Sequence, residues 1–159
     1  MDSPPSMQAE LSNWNDGVGI DLDSWVGCMG SFSLAVDYAA VFCPDFTLFE
    51  DYILRGGLLS DQTIQVLRGF AARPGSTSQP VEAVMTHLHP DSLQYLGCED
   101  ISADKLVFLG ERLKAIHEAR LALLFPDRPC TVDFHVPENA ADLDEYQLTF
   151  WQKKHELRG

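Results

Sequence analysis

The chain reads as an α+β protein, mainly α: a compact domain of about five helices closed by a C-terminal two-stranded antiparallel β-ribbon. Three observations predict this. Apolar residues recur at three- and four-residue spacing in several segments between residues 31 and 125. The period then changes to two around Val132–Val136 and Tyr146–Phe150. A hydrophobic content of 45% over 159 residues, with nine Phe, four Tyr and three Trp, is enough for one core without staples.

Residues 1–18 are rich in Ser, Pro, Asn and Gly and read as a mobile arm, with Trp14 placed to dock on a single globular domain spanning 19–159. Ser31 suits the cap of a helix running to about Cys43, because its oxygen can accept a first-turn N–H. That helix is apolar nearly all round, with only Ser33, Asp37 and Ala40 on a thin weak stripe, so it is expected to be central and buried. Pro44 ends it and can open a second helix, with Phe46, Phe49, Ile53 and Leu54 on one face and Gly56–Gly57 at its end. Ser60 with Asp61 starts a third, carrying Ile64, Leu67 and Phe70, and residues 73–79 read as a loop. A short fourth helix follows Pro80 through Val81, Val84, Met85 and Leu88.

The clearest helix covers residues 103–125, capped by Ser102 and stopped by Pro126. Leu106, Leu109, Leu113, Ile116 and Leu123 share a face, which is expected to pack across the helix of residues 32–43. In the ribbon, Val132, Phe134 and Val136 alternate with Asp133 and His135. Tyr146, Leu148 and Phe150 alternate with Gln147 and Thr149, after a loop long enough for one helical turn.

The net charge is −13, from eleven Lys and Arg against twenty-four Asp and Glu. Such a chain has little with which to displace phosphate counterions, so neither nucleic acid nor an anionic membrane is an expected partner. The charge is unevenly spread. Residues 1–54 hold nine acids (Asp2, Glu10, Asp16, Asp21, Asp23, Asp37, Asp45, Glu50 and Asp51) and no Lys or Arg. A one-signed field steers a basic protein partner. Asp21, Asp23, Asp45, Glu50 and Asp51 flank predicted helices outside the apolar pattern and are the expected partner-binding residues, whereas Asp37 belongs to a solvent stripe.

Cys28, Cys43, Cys98 and Cys130 form no CxxC pair and are expected to be reduced core residues. The first eleven residues have no basic n-region and no apolar h-region, and no apolar run approaches the length of a membrane span, so the expected address is the cytoplasm.

One stretch carries a chemical motif. Thr86-His87-Leu88-His89-Pro90-Asp91, with its apolar lead-in, resembles the THxHxDH signature of the metallo-β-lactamase fold. The resemblance covers residues 81–92 and implies zinc held by His87, His89 and Asp91, with a metal-activated water for hydrolysis. Ser92 stands where that family has its last histidine. The spacing around Glu82 points to a helix where the family has a strand end, and histidines two apart do not share a helical face. The residues by themselves therefore read as a helix C-terminus, where the dipole favours His, and no metal or other cofactor is expected. Cys98-Glu99-Asp100 reads as a turn before a helix start. There is no GxSxG elbow, P-loop or dinucleotide GxGxxG.

The expected function is that of a small acidic protein-binding domain without catalysis. Immunity proteins and inhibitors that occupy a basic site on a partner are of this size and charge. A metal-dependent hydrolase built on His87, His89 and Asp91 is one alternative, and an assembly subunit is another.

Overall fold

The computed structural model describes residues 3–57, 59–94 and 97–156. In chain order it contains α1 (Pro5–Ser12), α2 (Leu22–Met29), α3 (Phe32–Phe42), β1 (Phe46–Phe49), β2 (Tyr52–Arg55), α4 (Asp61–Ala71), α5 (Ser78–Thr86), α6 (Ala103–Leu124), β3 (Cys130–His135) and β4 (Gln147–Gln152). The mainly helical α+β class with a C-terminal ribbon is as the periodicity predicts.

The ribbon organises the core. β3 and β4 pair antiparallel with Val132 opposite Phe150 and Phe134 opposite Leu148. Alternation then puts Val132, Phe134, Tyr146, Leu148 and Phe150 on one face, all buried. The connecting loop holds the expected single helical turn, Leu143–Glu145. α6 lies across this face.

The buried stripe of α6 is Leu106, Gly110, Leu113, His117 and Leu121. It is rotated from the leucine stripe expected, and Leu123 is exposed. The cause is Gly110, which has no side chain and lets the Phe134 ring close on the helix backbone. α6 therefore packs on the ribbon and not across α3. Leu113 is fully buried in this cluster. Leu113→Ala should cost about 2–5 kcal/mol in urea denaturation, as buried Leu truncations do. A loss under about half a kcal/mol, the scale of an exposed site, would mean that the face is open to water.

Two expectations fail in the first third. The segment after Pro44 is a β-hairpin and not a helix, with Phe46 opposite Arg55 and Phe49 opposite Tyr52. Phe, Thr, Leu, Tyr and Ile suit a pleated surface, and Glu50 makes the turn at φ 54°. Phe46, Ile53 and Leu54 still reach the core, from strands. α3 keeps its Ser31 cap, which accepts from the Leu34 N–H at 3.3 Å, but none of its residues is buried. Its last turn touches the core through Val41 and Phe42. The segment read as an arm contains α1, whose Leu11 is buried. The Ser6 N–H donates to Asp104 at 2.7 Å, joining α1 to the start of α6. Ser102 takes the cap position of α6, but its hydroxyl donates to Asp104 instead of receiving a backbone N–H.

α5 lies between the two hairpins and closes their free edges. The Thr86 hydroxyl donates to the Phe150 carbonyl at 2.7 Å and accepts from its N–H at 3.1 Å. Leu88, just past the helix, exchanges both backbone bonds with Leu148. Glu82 accepts from the Gln152 N–H on β4 and from the Ile53 N–H on β2. These side chains stand in for the strand that an open edge would otherwise recruit. A second apolar cluster, Leu54, Leu67 and Val81, fills the far side of α5.

Candidate functional site

Among the five acids expected to meet a partner, the structure separates two groups. Asp21 and Asp23 sit at the start of α2. Asp21 caps the helix by accepting from Ser24 N–H at 2.8 Å, a bond that holds its carboxyl below the usual range. Asp45, Glu50 and Asp51 lie at or near the β1–β2 hairpin and face bases from the rest of the chain. Glu50 pairs with Arg68 at 2.8 Å, and Asp45 is 4.0 Å from Arg120. Asp51 pairs with Lys154 and, at 3.0 Å, with Arg128, and these partners push its carboxyl far down. The unpaired acids of the first third are therefore Glu10, Asp16, Asp21, Asp23 and Asp37, which have no ion pair among the described residues. Asp2 lies outside the described residues. Asp37 is exposed, as its stripe predicts.

In the histidine motif, α5 ends at Thr86, two residues before the expected end, and the backbone runs extended through His87 and His89. This puts the two imidazoles on one side, with ring centroids 5.4 Å apart, where a continued helix would have separated them. Each ring spends Nδ1 on a backbone carbonyl: His87 on Val84, and His89 on Asp144 at 2.9 Å. Asp91 sits in the 3-10 turn Pro90–Leu93. Among the described residues, no three His, Cys, Asp or Glu side chains are placed to share a metal ion.

The densest polar cluster went unread in the sequence. Glu82 has no exposed surface, and four donors meet its carboxyl. Oε1 accepts from Ile53 N–H and Gln152 Nε2, each at 2.8 Å. Oε2 accepts from Gln152 N–H at 2.7 Å and His155 Nδ1 at 2.9 Å. The far nitrogen of His155 is 3.4 Å from Asp51. A Glu–His–Asp chain can move protons, but here the His155 side chain is only 7% exposed and protein donors fill every side of Glu82. The cluster joins α5, both hairpins and the C-terminal turn. Nearby, burial and the charge of Glu82 push the Cys130 thiol up to about 11, which disfavours its thiolate. Cys28 and Cys43 lie on the surface and not in the core; all four thiols are free.

One feature open to a ligand is apolar. α1, α2 and α3 stand off α6 and the Pro90–Leu93 turn around a groove of about 530 Å³. Leu22, Trp25, Val26, Met29, Leu34 and Tyr38 line its α2–α3 wall. The wall continues outward as bare apolar surface, with Phe32 93% and Val36 70% exposed. Trp25 Nε1 donates to Glu10 at 3.0 Å, fixing α2 against α1. α2 went unread in the sequence, although Asp21 three residues before Ser24 is a capping signal. No protein-family model, curated protein or solved structure matches this chain. No helix among the described residues is long and apolar enough to cross a membrane.

Proposed function

We propose that this chain is a non-catalytic protein-binding domain, of the immunity or inhibitor kind, that docks on a basic site of a partner through α2 and α3. One observation carries the reading: α2 and α3 are apolar helices in which no residue is buried. Apolar surface held open and rimmed by polar groups marks an interaction site. The unpaired acids Asp21, Asp23 and Asp37 lie on or beside the same two helices and suit a basic partner. Free thiols at two surface positions suit a reducing, cytoplasmic setting.

The test uses the full chain as bait in extracts of its native cell. Phe32→Glu with Val36→Glu alters only outward-facing positions and should leave the melting temperature unchanged while abolishing capture of the partner. Asp21→Asn with Asp23→Asn should slow association and flatten its salt dependence, the electrostatic reach being about 8–10 Å. Asp45, Glu50 and Asp51, engaged within the fold, should affect stability in place of on-rate. A partner still captured by the Glu double variant, at rates indifferent to salt, would remove the binding face from α2–α3.

A further inference from the structure

We propose that the groove between α1, α2, α3 and α6 receives an amphipathic helix of the partner, presenting an apolar stripe inward and Lys or Arg along its edges. The proposal rests on the protein-binding reading above and names the occupant of that face. Two features of the site point to this chemistry.

The groove is walled mainly by aliphatic and aromatic side chains, and its apolar surface does not stop at the cavity mouth. Val26, Met29 and Leu34 line the cavity and are also 60%, 56% and 54% exposed. A small ligand seated in the cavity would leave these outer surfaces wet. A helix laid along the groove covers them together, through anchors at i, i+3, i+4 and i+7.

The helices that wall the groove on the α1–α3 side carry exposed acids. Asp21 and Asp23 stand at the start of α2, Asp37 lies in α3, and Glu10 of α1 accepts from Trp25. On the opposite side Lys105, the one lining base among the described residues, is already paired with Asp100. α1, α2 and α3 thus carry acids and no Lys or Arg, and an incoming helix with basic edges gains where an acidic one is repelled.

The same charge decides against two other occupants. A second copy would bring two base-free acidic segments, residues 1–54 of each chain, against one another. An anionic bilayer would meet the acids of these helices in the same unfavourable way.

The test uses the full chain and synthetic helical peptides. The first peptide carries Leu at i, i+3, i+4 and i+7 with Lys on its remaining face. The second replaces Lys by Glu, and the third keeps Lys but replaces Leu by Ser. Fluorescence anisotropy should show the Leu/Lys peptide bound at least about ten-fold more tightly than either control, a difference of about 1.4 kcal/mol. Binding should weaken with salt. Leu34→Asp, at a half-exposed groove position, should weaken it by about the same factor with an unchanged circular dichroism spectrum. Met29→Asp provides a second variant should Leu34→Asp fail to fold.

Equal binding of the Ser/Lys peptide would reduce the site to charge alone, and equal binding of the Leu/Glu peptide would reduce it to apolar adhesion; either overturns the proposal. So would binding to phosphatidylcholine–phosphatidylserine vesicles, or a concentration-dependent dimer lost in Leu34→Asp. If no peptide binds while cellular capture still depends on Phe32 and Val36, the outer surface and not the groove holds the partner. The protein-binding reading then stands and this inference falls.

Discussion

Glu82→Ala should cost about 3–5 kcal/mol, because four donors lose their shared acceptor at once. Small domains have about 5–15 kcal/mol in total, so the variant should lose a large share of its stability and melt well below the unsubstituted protein. The loss comes mainly from the partners left behind. Ile53 and Gln152 are both fully buried. Truncation leaves two backbone N–H groups, the Gln152 amide and His155 Nδ1 facing a void. Each unsatisfied buried group costs about 1–3 kcal/mol, less whatever water can repair.

Glu82→Gln separates shape from charge. Its oxygen should keep the Oε1 position, where Ile53 N–H and Gln152 Nε2 both donate. Gln152 cannot turn its amide over, because its Nε2 also donates to Asp51 O and its Oε1 accepts from Arg128. The new NH2 then faces the Gln152 N–H, an irreparable donor pair, and His155 Nδ1, which can shift its proton to the nitrogen facing Asp51. One lost bond in place of four predicts a loss of about 1–3 kcal/mol. Denaturant melts of both variants measure this. A Glu82→Ala loss under about 1 kcal/mol would mean that water reaches the site and replaces the carboxylate.

Glu82 also illustrates which features local pattern can carry. Helices α3, α4, α5 and α6 and the ribbon were legible because each rests on a period and a stop within its own segment. Ser31 and Ser60 cap as expected, the latter accepting from Thr63 N–H at 3.1 Å. The β1–β2 hairpin was not legible. Phe46, Phe49 and Ile53 fit helical spacing as well as strand propensity, and its turn uses Glu50 in a left-handed conformation that Gly or Asn would have advertised. The face of α6 was misjudged because leucine marks hydrophobicity, whereas the helix turns toward the place where Gly110 admits Phe134, a fact held by a strand much later in the chain.

Charge shows the same limit. Counting acids along residues 1–54 found the asymmetry, yet Asp51 meets Arg128 and Lys154, 77 and 103 residues away. Those neutralising contacts have no signature near Asp51 itself. Apolarity is equally indifferent to location. α3 carries a core helix's composition, and its pattern records only that its surface should be covered. On the reading proposed here the cover comes from another molecule.

Gly110→Ala should destabilise the protein by about 1–3 kcal/mol, although alanine is ordinarily the better helix former by about 0.8–1.0 kcal/mol. A Cβ built on Gly110 falls closer than 3.0 Å to Cζ, Cε2 and Cε1 of Phe134, so the ring meets it tip first. Phe134 cannot withdraw easily. Its strand pairs with β4 opposite Leu148, and its ring packs against Tyr146 with centroids 6.4 Å apart. Either α6 lifts from the ribbon or the ring leaves its rotamer, and both outcomes strain the main core. Gly69 in α4 supplies the control, since a Cβ there meets nothing within 4 Å. Gly69→Ala should therefore stabilise by up to about 1 kcal/mol, and the same substitution takes opposite signs in two helices. Shortening the ring should relieve the clash. Phe134→Leu alone leaves a void, but combined with Gly110→Ala it should cost less than the two single changes added, by about 0.5–3 kcal/mol of interaction energy. Thermal melts of the four variants close the cycle. A neutral Gly110→Ala, or strict additivity with Phe134→Leu, would mean that helix and ribbon are not in contact at this point.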